Sequence, residues 1–137
     1  MNQLASSAMK VSIVMVTYNH EKYIAQAVES VLMQETNFDY ELIIGEDCSQ
    51  DKTRAIVMDF QRRFPERIRL LLPEKNLGGS GKTNFLQTLA AAQGQYVALL
   101  EGDDYWTSPH KLQKQVDFLD SHPECAICFH KSNMLYE

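Results

Sequence analysis

The chain has 137 residues, which is long enough for one hydrophobic core and too short for two independent domains. Hydrophobic residues make up 45% of it and charged residues 23%, as is ordinary for a soluble globular protein. The formal net charge of −5 argues against the basic surface that nucleic-acid-binding domains need, so we expect no nucleic-acid partner.

The sequence carries no sign of export or membrane insertion. Residues 1–10 lack the apolar segment of a secretory signal, and we expect this stretch to be flexible. No apolar run approaches the ~18 residues of a membrane span. The cysteines, including the C-x-x-C pair Cys125 and Cys128, fit packing in a reducing compartment better than disulfide, metal or redox chemistry. We therefore predict a cytoplasmic protein, and any attachment to a membrane would depend on residues downstream of Glu137.

Strand-like apolar runs alternate with helical patterns along the chain. β-branched residues dominate the first run, Val11 to Val16, and an apolar stripe from Tyr23 to Leu32 follows at helical spacing. Continuous apolar runs of this kind are typical of strands covered on both faces. The later segments are, in chain order, strand 40–44, a helix with the apolar face Ile56, Val57, Phe60 and Phe64, strand 68–72, a helix with the apolar face Phe85, Leu86, Leu89 and Ala92, strand 96–100, a helix with the apolar face Leu112, Val116 and Leu119, and strand 126–129.

This alternation predicts one α/β domain over residues 11–137. It is typical of a Rossmann-like, doubly wound, mostly parallel sheet with helices on both faces, an αβα sandwich. In such folds ligands bind beyond the carboxyl ends of the strands. We expect four polar groups to converge on that edge of the sheet: Thr17, Tyr18 and Asn19; Glu46, Asp47 and Ser49; Lys75 and Asn76; and Glu101, Asp103 and Asp104.

Three carboxylates lie within Glu101-Gly102-Asp103-Asp104, directly after a predicted buried strand. Their mutual repulsion would grow with burial, so we expect a cation beside them. Mg²⁺ and Mn²⁺ prefer oxygen ligands, commonly one or two carboxylates together with substrate phosphates. The position after a strand favours a metal site, with Glu101, Asp103 and Asp104 as ligands, over a solvated acidic turn.

A glycine-rich segment, Gly78 to Thr83, ends in Gly-Lys-Thr and precedes a predicted helix. It resembles part of a P-loop, in which Lys82 and Thr83 would bind a nucleotide, but Asn76 stands where that motif has its first glycine. A flexible connection that brings Lys82 to a phosphate and a purely structural loop are the other two interpretations.

Two residues after the first and second strands each have two interpretations. Asp47 is either an acid favoured by the following helix dipole or an acceptor for the N–H of a pyrimidine base. Tyr18 is either a half-buried packed aromatic or a ring that lies against the same base.

Four segments, in this order, resemble family 2 glycosyltransferases: VSIVMVTYN at 11–19, AVESVLMQ at 27–34, ELIIGEDCSQDKT at 41–53 and GQYVALLEGDD at 94–104. The likeness extends from about Val11 to Phe129. It implies a GT-A fold, a nucleotide-diphospho-sugar donor, most commonly a UDP-sugar, and a Mn²⁺ or Mg²⁺ cofactor.

The resemblance also implies roles for single residues. Asp47 corresponds to the aspartate that contacts the base and Tyr18, next to Thr17 in the first-strand motif, to the tyrosine that flanks it. The family's D-x-D motif falls on Glu101-Gly102-Asp103, with glutamate in the first position, and Asp103 and Asp104 fit the metal and diphosphate site. Lys82 lies near the position of an Arg-Asn pair in many members and is our candidate phosphate partner.

The family's general base lies in an acceptor-binding half downstream of the fifth strand, where nothing in this sequence matches it. We therefore expect a chain truncated at its C-terminus, with its catalytic base beyond Glu137. It would bind the donor for inverting transfer to a hydroxyl of an unidentified saccharide or lipid-linked acceptor. A P-loop-like nucleotide-binding protein and a non-catalytic binding module of the same fold are the alternatives.

Overall fold

The computed structural model describes residues 8–136. Within them, four parallel strands form one sheet in the order β3-β2-β1-β4, which confirms the predicted α/β architecture. The elements are, in chain order, β1 (Val11–Thr17), α1 (Ile24–Leu32), β2 (Tyr40–Glu46), α2 (Thr53–Arg63), β3 (Ile68–Leu71), a 3₁₀ turn (Gly79–Gly81), α3 (Lys82–Ala90), β4 (Tyr96–Leu99) and α4 (Lys111–Ser121).

The stretch predicted to be flexible, residues 1–10, falls mostly outside the described residues. Lys10 is held in place: its N–H donates to the Asp39 carbonyl at 3.0 Å, and its ammonium lies 2.9 Å from a carboxylate oxygen of Asp120. Within residues 8–136, no helix has the length and apolarity that crossing a membrane requires.

One face of the sheet carries the main hydrophobic core. Because side chains alternate along a strand and the strands are in register, Ile13 of β1 and Leu42 of β2 lie side by side and are both fully buried. The apolar stripes of α1, α2 and α4 cover this face, with Ile24, Val57 and Leu112 among the residues of the core. The buried apolar residues of these three helices are among those that recur at helical spacing in the sequence.

The opposite face of β1 and β2 is covered by α3, and this contact is polar. The predicted apolar face of this helix is wrong at Leu86, which is half exposed. Phe85, Leu89 and Ala92 are partly buried, whereas the fully covered residues are the polar Asn84 and Thr88. The Asn84 side-chain amide donates to the Gly45 carbonyl at 2.8 Å, and a Cβ at Gly45 would lie 2.1 Å from the Thr88 hydroxyl oxygen. The helix therefore lies so close to β2 that short polar side chains fit between them and satisfy the strand backbone.

The predicted fifth strand, 126–129, is also wrong. This segment is irregular and pairs with no strand within residues 8–136, and Ile127 and Phe129 are exposed. Its apolar residues predicted burial, but β4 has no strand on its outer side in the described part of the chain and itself exposes Val97 and Leu99. Cys125 and Cys128, predicted to pack in the core, are only partly buried.

Candidate functional site

A cleft of about 630 Å³, lined by both polar and apolar groups, lies at the carboxyl edge of the sheet. It brings together five of the residues predicted from sequence to bind a ligand. These are Thr17, Tyr18, Asp47, Lys82 and Glu101. The predicted convergence of the strand ends is confirmed for Thr17, Tyr18, Asp47, Asn76 and Glu101, because parallel strands place their carboxyl ends on one edge.

The end of β1 forms the floor of the cleft. Thr17 is buried, and its carbonyl accepts the N–H of Asp47 at 3.1 Å, so the first two strand ends are tied together. Tyr18 follows with 40% of its surface exposed. Asn19 then takes a left-handed backbone, and its amide oxygen accepts the Gln50 N–H at 2.8 Å. Tyr18 is thus an accessible ring on a fixed backbone.

Asp47 is buried but only partly engaged by the protein. Its Oδ1 accepts the N–H of Leu77 at 2.7 Å, and its carbonyl accepts the side-chain amide of Asn76 at 2.9 Å. Within residues 8–136, Oδ2 of Asp47 has no hydrogen-bond partner, and the residue lines the cleft. Asp47 therefore offers one acceptor to a ligand while the other fixes the chain before α3.

An ion pair that the sequence pattern did not reveal lies beneath Asp47. Glu46, fully buried at the end of β2, accepts hydrogen bonds from Arg54 Nε and from the Ser49 N–H, the latter at 2.6 Å. Arg54 also donates to the Pro73 carbonyl at 2.9 Å. Glu46 therefore belongs to the scaffold, and its position at the end of a predicted strand did not distinguish it from Asp47.

The glycine loop, residues 78–81, forms one wall of the cleft. All four of its residues have positive φ, including Ser80 at 53°. Lys82, the first residue of α3, is exposed and also lines the cleft. The N–H groups of Gly78 and Gly81 are used within the loop, on Asn76 Oδ1 at 2.9 Å and on the Gly78 carbonyl at 3.3 Å. The group that this wall offers to a ligand is therefore the flexible cation of Lys82.

The acidic turn, Glu101–Asp104, closes the cleft after β4. Its three carboxylates are exposed, whereas Gly102 is buried, with its N–H donating to the Val16 carbonyl at 3.0 Å. A Cβ at Gly102 would lie 2.6 Å from the Thr17 hydroxyl oxygen, so only glycine allows the turn to approach β1 this closely. The backbone of the acidic turn is thereby fixed against the strand.

Asp103 and Asp104 are not among the residues that line the cleft, although Asp103 lies within 3.8 Å of the cleft residue His20. In the described part of the chain, no three His, Cys, Asp or Glu side chains are grouped closely enough to enclose a metal ion. Exposed carboxylates that form no complete cage fit a hard divalent ion that takes its remaining ligands from a substrate and water.

The fold is a doubly wound α/β domain with a cleft at the carboxyl edge of its parallel sheet. Within that class, the sequence model of glycosyl transferase family 2 matches residues 12–134, and the chain belongs to this family. The resemblance seen in the sequence is therefore confirmed, and the P-loop interpretation of Lys82 and Thr83 loses its support.

Relatives from two bacteria match most of this chain. The chain is 46% identical over 126 residues to the uncharacterized protein Rv1520 of Mycobacterium tuberculosis, covering 92% of this chain and 36% of that protein. It is 40% identical over 119 residues to the putative teichuronic acid biosynthesis glycosyltransferase TuaG of Bacillus subtilis, covering 87% and 45%. The chain thus spans between about a third and a half of the length of these relatives.

Solved structures share the fold. Staphylococcus aureus TarS 1-349 in complex with UDP-GlcNAc superposes with a TM-score of 0.71 at 32% identity, over 84% of this chain and 32% of that chain. The mannosyltransferase PcManGT of Pyrobaculum calidifontis, in complex with GDP-Man and Mn²⁺, gives a TM-score of 0.70 at 19% identity, over 83% and 33%. The architecture is therefore the GT-A fold.

Proposed function

We propose that this domain binds the nucleoside diphosphate part of a nucleotide-diphospho-sugar, together with Mn²⁺ or Mg²⁺. UDP is the nucleoside diphosphate that we favour. The domain would form the donor half of an inverting glycosyltransferase. The observation that carries the proposal is the meeting of Thr17, Tyr18, Asp47, Lys82 and Glu101 in one cleft. Membership of glycosyl transferase family 2 and the likeness to TarS, which has been solved with UDP and with UDP-GlcNAc, support it.

The base would lie between Tyr18 and Asp47. The Tyr18 ring is exposed toward the cleft and offers a flat apolar surface. Asp47 is mostly buried but lines the cleft, and its Oδ2 has no hydrogen-bond partner within residues 8–136. A carboxylate in this position would accept the imide N–H of uracil, and leaving the acceptor unpaired beside a bound base would be costly.

The diphosphate would lie between the glycine loop and the acidic turn. Three carboxylates beside a diphosphate repel it, so binding there requires a cation. Asp103 and Asp104, with Glu101, would hold Mn²⁺ or Mg²⁺, and Lys82 would contact the phosphates from the opposite wall. When bound, the metal would stabilise the negative charge that develops on the leaving diphosphate.

We assign no general base among residues 8–136. An inverting displacement needs a base beside the acceptor hydroxyl, on the side opposite the leaving diphosphate. The acceptor, a saccharide or a lipid-linked molecule in our proposal, and its base would be supplied outside the donor cleft described here.

Titration calorimetry with UDP, GDP, dTDP and ATP, each in Mn²⁺ and in EDTA, tests the proposal. We expect UDP to bind most tightly and to bind more tightly in Mn²⁺ than in EDTA. A preference for ATP that does not depend on metal, or a folded sample that binds none of the four, would contradict it.

A further inference from the structure

We infer that His20 is a positioning residue for Asp103: its imidazole connects the Thr17 hydroxyl at the end of β1 to the carboxylate in the acidic turn. The inference rests on the proposed function, since Asp103 matters only if the acidic turn binds a metal and a diphosphate. It adds a residue to the site that the sequence patterns did not single out.

The backbone of His20 is anchored on two sides. Its N–H donates to the Thr53 hydroxyl at 2.8 Å, at the start of α2. Its carbonyl accepts the N–H groups of Tyr23 and Ile24, both at 2.9 Å, at the start of α1. With 22% of its side chain exposed, His20 is a mostly enclosed residue held where two helices begin.

The acidic turn, by contrast, has a fixed backbone and free side chains. Within residues 8–136, His20 is the one side chain that contacts a carboxylate of the acidic turn. Its Nε2 lies 3.8 Å from Oδ2 of Asp103. Gly102 is pressed against the same two residues, since a Cβ there would lie 2.6 Å from the Thr17 hydroxyl oxygen and 3.0 Å from His20 Nδ1. Thr17, His20 and the acidic turn therefore form one packed unit.

The contacts of the His20 ring favour one of its two neutral tautomers. Nδ1 lies 3.1 Å from the Thr17 hydroxyl oxygen, and the hydroxyl can donate to it. The proton then sits on Nε2 and points toward Asp103. The other tautomer would turn a lone pair toward a carboxylate and is disfavoured.

A separation of 3.8 Å between Nε2 and Oδ2 exceeds a direct hydrogen bond and leaves Asp103 free to adjust. A small rotation of the carboxylate, or one water molecule, completes the contact. With one carboxylate oxygen held by His20, the other is turned toward a metal ion. Partners of this kind commonly change metal affinity by about 10- to 100-fold.

Two substitutions separate this role from a structural one. In His20→Asn the amide takes the place of Nδ1 and keeps the contact with Thr17 without reaching Asp103. In His20→Gln the amide takes the place of Nε2 and can still donate to Asp103. We expect His20→Asn to weaken Mn²⁺ binding in the presence of UDP by roughly tenfold or more, and His20→Gln to retain most of the affinity.

Mn²⁺ binding is measured from the electron paramagnetic resonance signal of free Mn²⁺ at a fixed UDP concentration. The melting temperature of each variant is measured alongside. Wild-type affinity in His20→Asn, or equal losses in both variants at unchanged melting temperature, overturns the inference and leaves the proposed function intact. A wild-type chain that binds neither Mn²⁺ nor UDP overturns both.

Nitrogen-15 spectra of the wild-type imidazole provide a test that needs no stable His20 variant. We expect the Nε2–H tautomer and a shift of its signals in Asp103→Asn. The Nδ1–H tautomer, or signals unchanged by Asp103→Asn, would overturn the inference.

Discussion

Replacing Asp47 by asparagine tests the base-binding role most directly. The two side chains have nearly the same shape, and Leu77 donates its N–H to Oδ1 of Asp47 at 2.7 Å. That donor fixes the amide of Asp47→Asn with its oxygen toward Leu77 and its NH₂ toward the cleft. The substitution therefore exchanges one ligand-facing acceptor for a donor and preserves the contact that holds the chain before α3.

The size of the effect follows from that exchange. Uracil presents an N–H donor at N3, so UDP would lose a charge-assisted hydrogen bond and meet a second donor. We expect its binding to weaken by about 1–3 kcal/mol, or roughly 5- to 150-fold in Kd. Cytosine presents an acceptor at N3, so Asp47→Asn is expected to narrow or reverse the preference for UDP over CDP. Stability should change little.

Titration calorimetry with UDP and CDP in Mn²⁺ measures the two affinities, and urea unfolding measures the stability. Asp120→Asn is the matched control, since it removes the same charge beside Lys10 and Tyr96, which adjoin the amino ends of β1 and β4. Unchanged UDP affinity in Asp47→Asn, or an equal loss in Asp120→Asn, would refute the reasoning.

Three further predictions concern the metal, the scaffold and pH. Asp103→Asn should remove most of the difference in UDP affinity between Mn²⁺ and EDTA, measured by calorimetry, because an amide is a weaker ligand for a hard ion. Ser12→Ala should lower the free energy of unfolding in urea by about 2–4 kcal/mol, because the buried Ser12 hydroxyl donates to Glu41 at 2.6 Å and accepts the Gly94 N–H at 2.8 Å. Burial lowers the pKa of Lys111 from 10.5 to about 8, against an opposing effect of nearby Cys128. The folded chain then holds fewer protons than the unfolded one between these pH values, so the free energy of unfolding should rise with pH above 8, and Lys111→Met should flatten that rise.

The four strands could be predicted to within two residues because each is a short, mainly apolar run bounded by polar or turn residues. Burial on both faces explains the continuous pattern of the central strands β1 and β2, whereas the edge strands β3 and β4 are partly exposed. The buried face of α3 could not be predicted from the sequence, because Asn84 and Thr88 are polar and their burial depends on how closely the helix approaches Gly45. The same holds for 126–129, whose apolar residues predicted a strand without showing whether a partner lies beside it.

Within the candidate site, the sequence placed the strand-end residues in one cleft but could not show which acids are already paired. Glu41 is buried with Arg69 3.2 Å away, and Glu46 is buried with Arg54, so these carboxylates are neutralised by the protein itself. The carboxylates of the acidic turn are exposed, and within residues 8–136 no lysine or arginine is paired with them. Long-range pairing of this kind leaves no periodic trace in a sequence, because the cation comes from another element. Burial and pairing therefore separate the scaffold acids from the acidic turn, whose unneutralised carboxylates are the ones that we propose to bind a divalent cation.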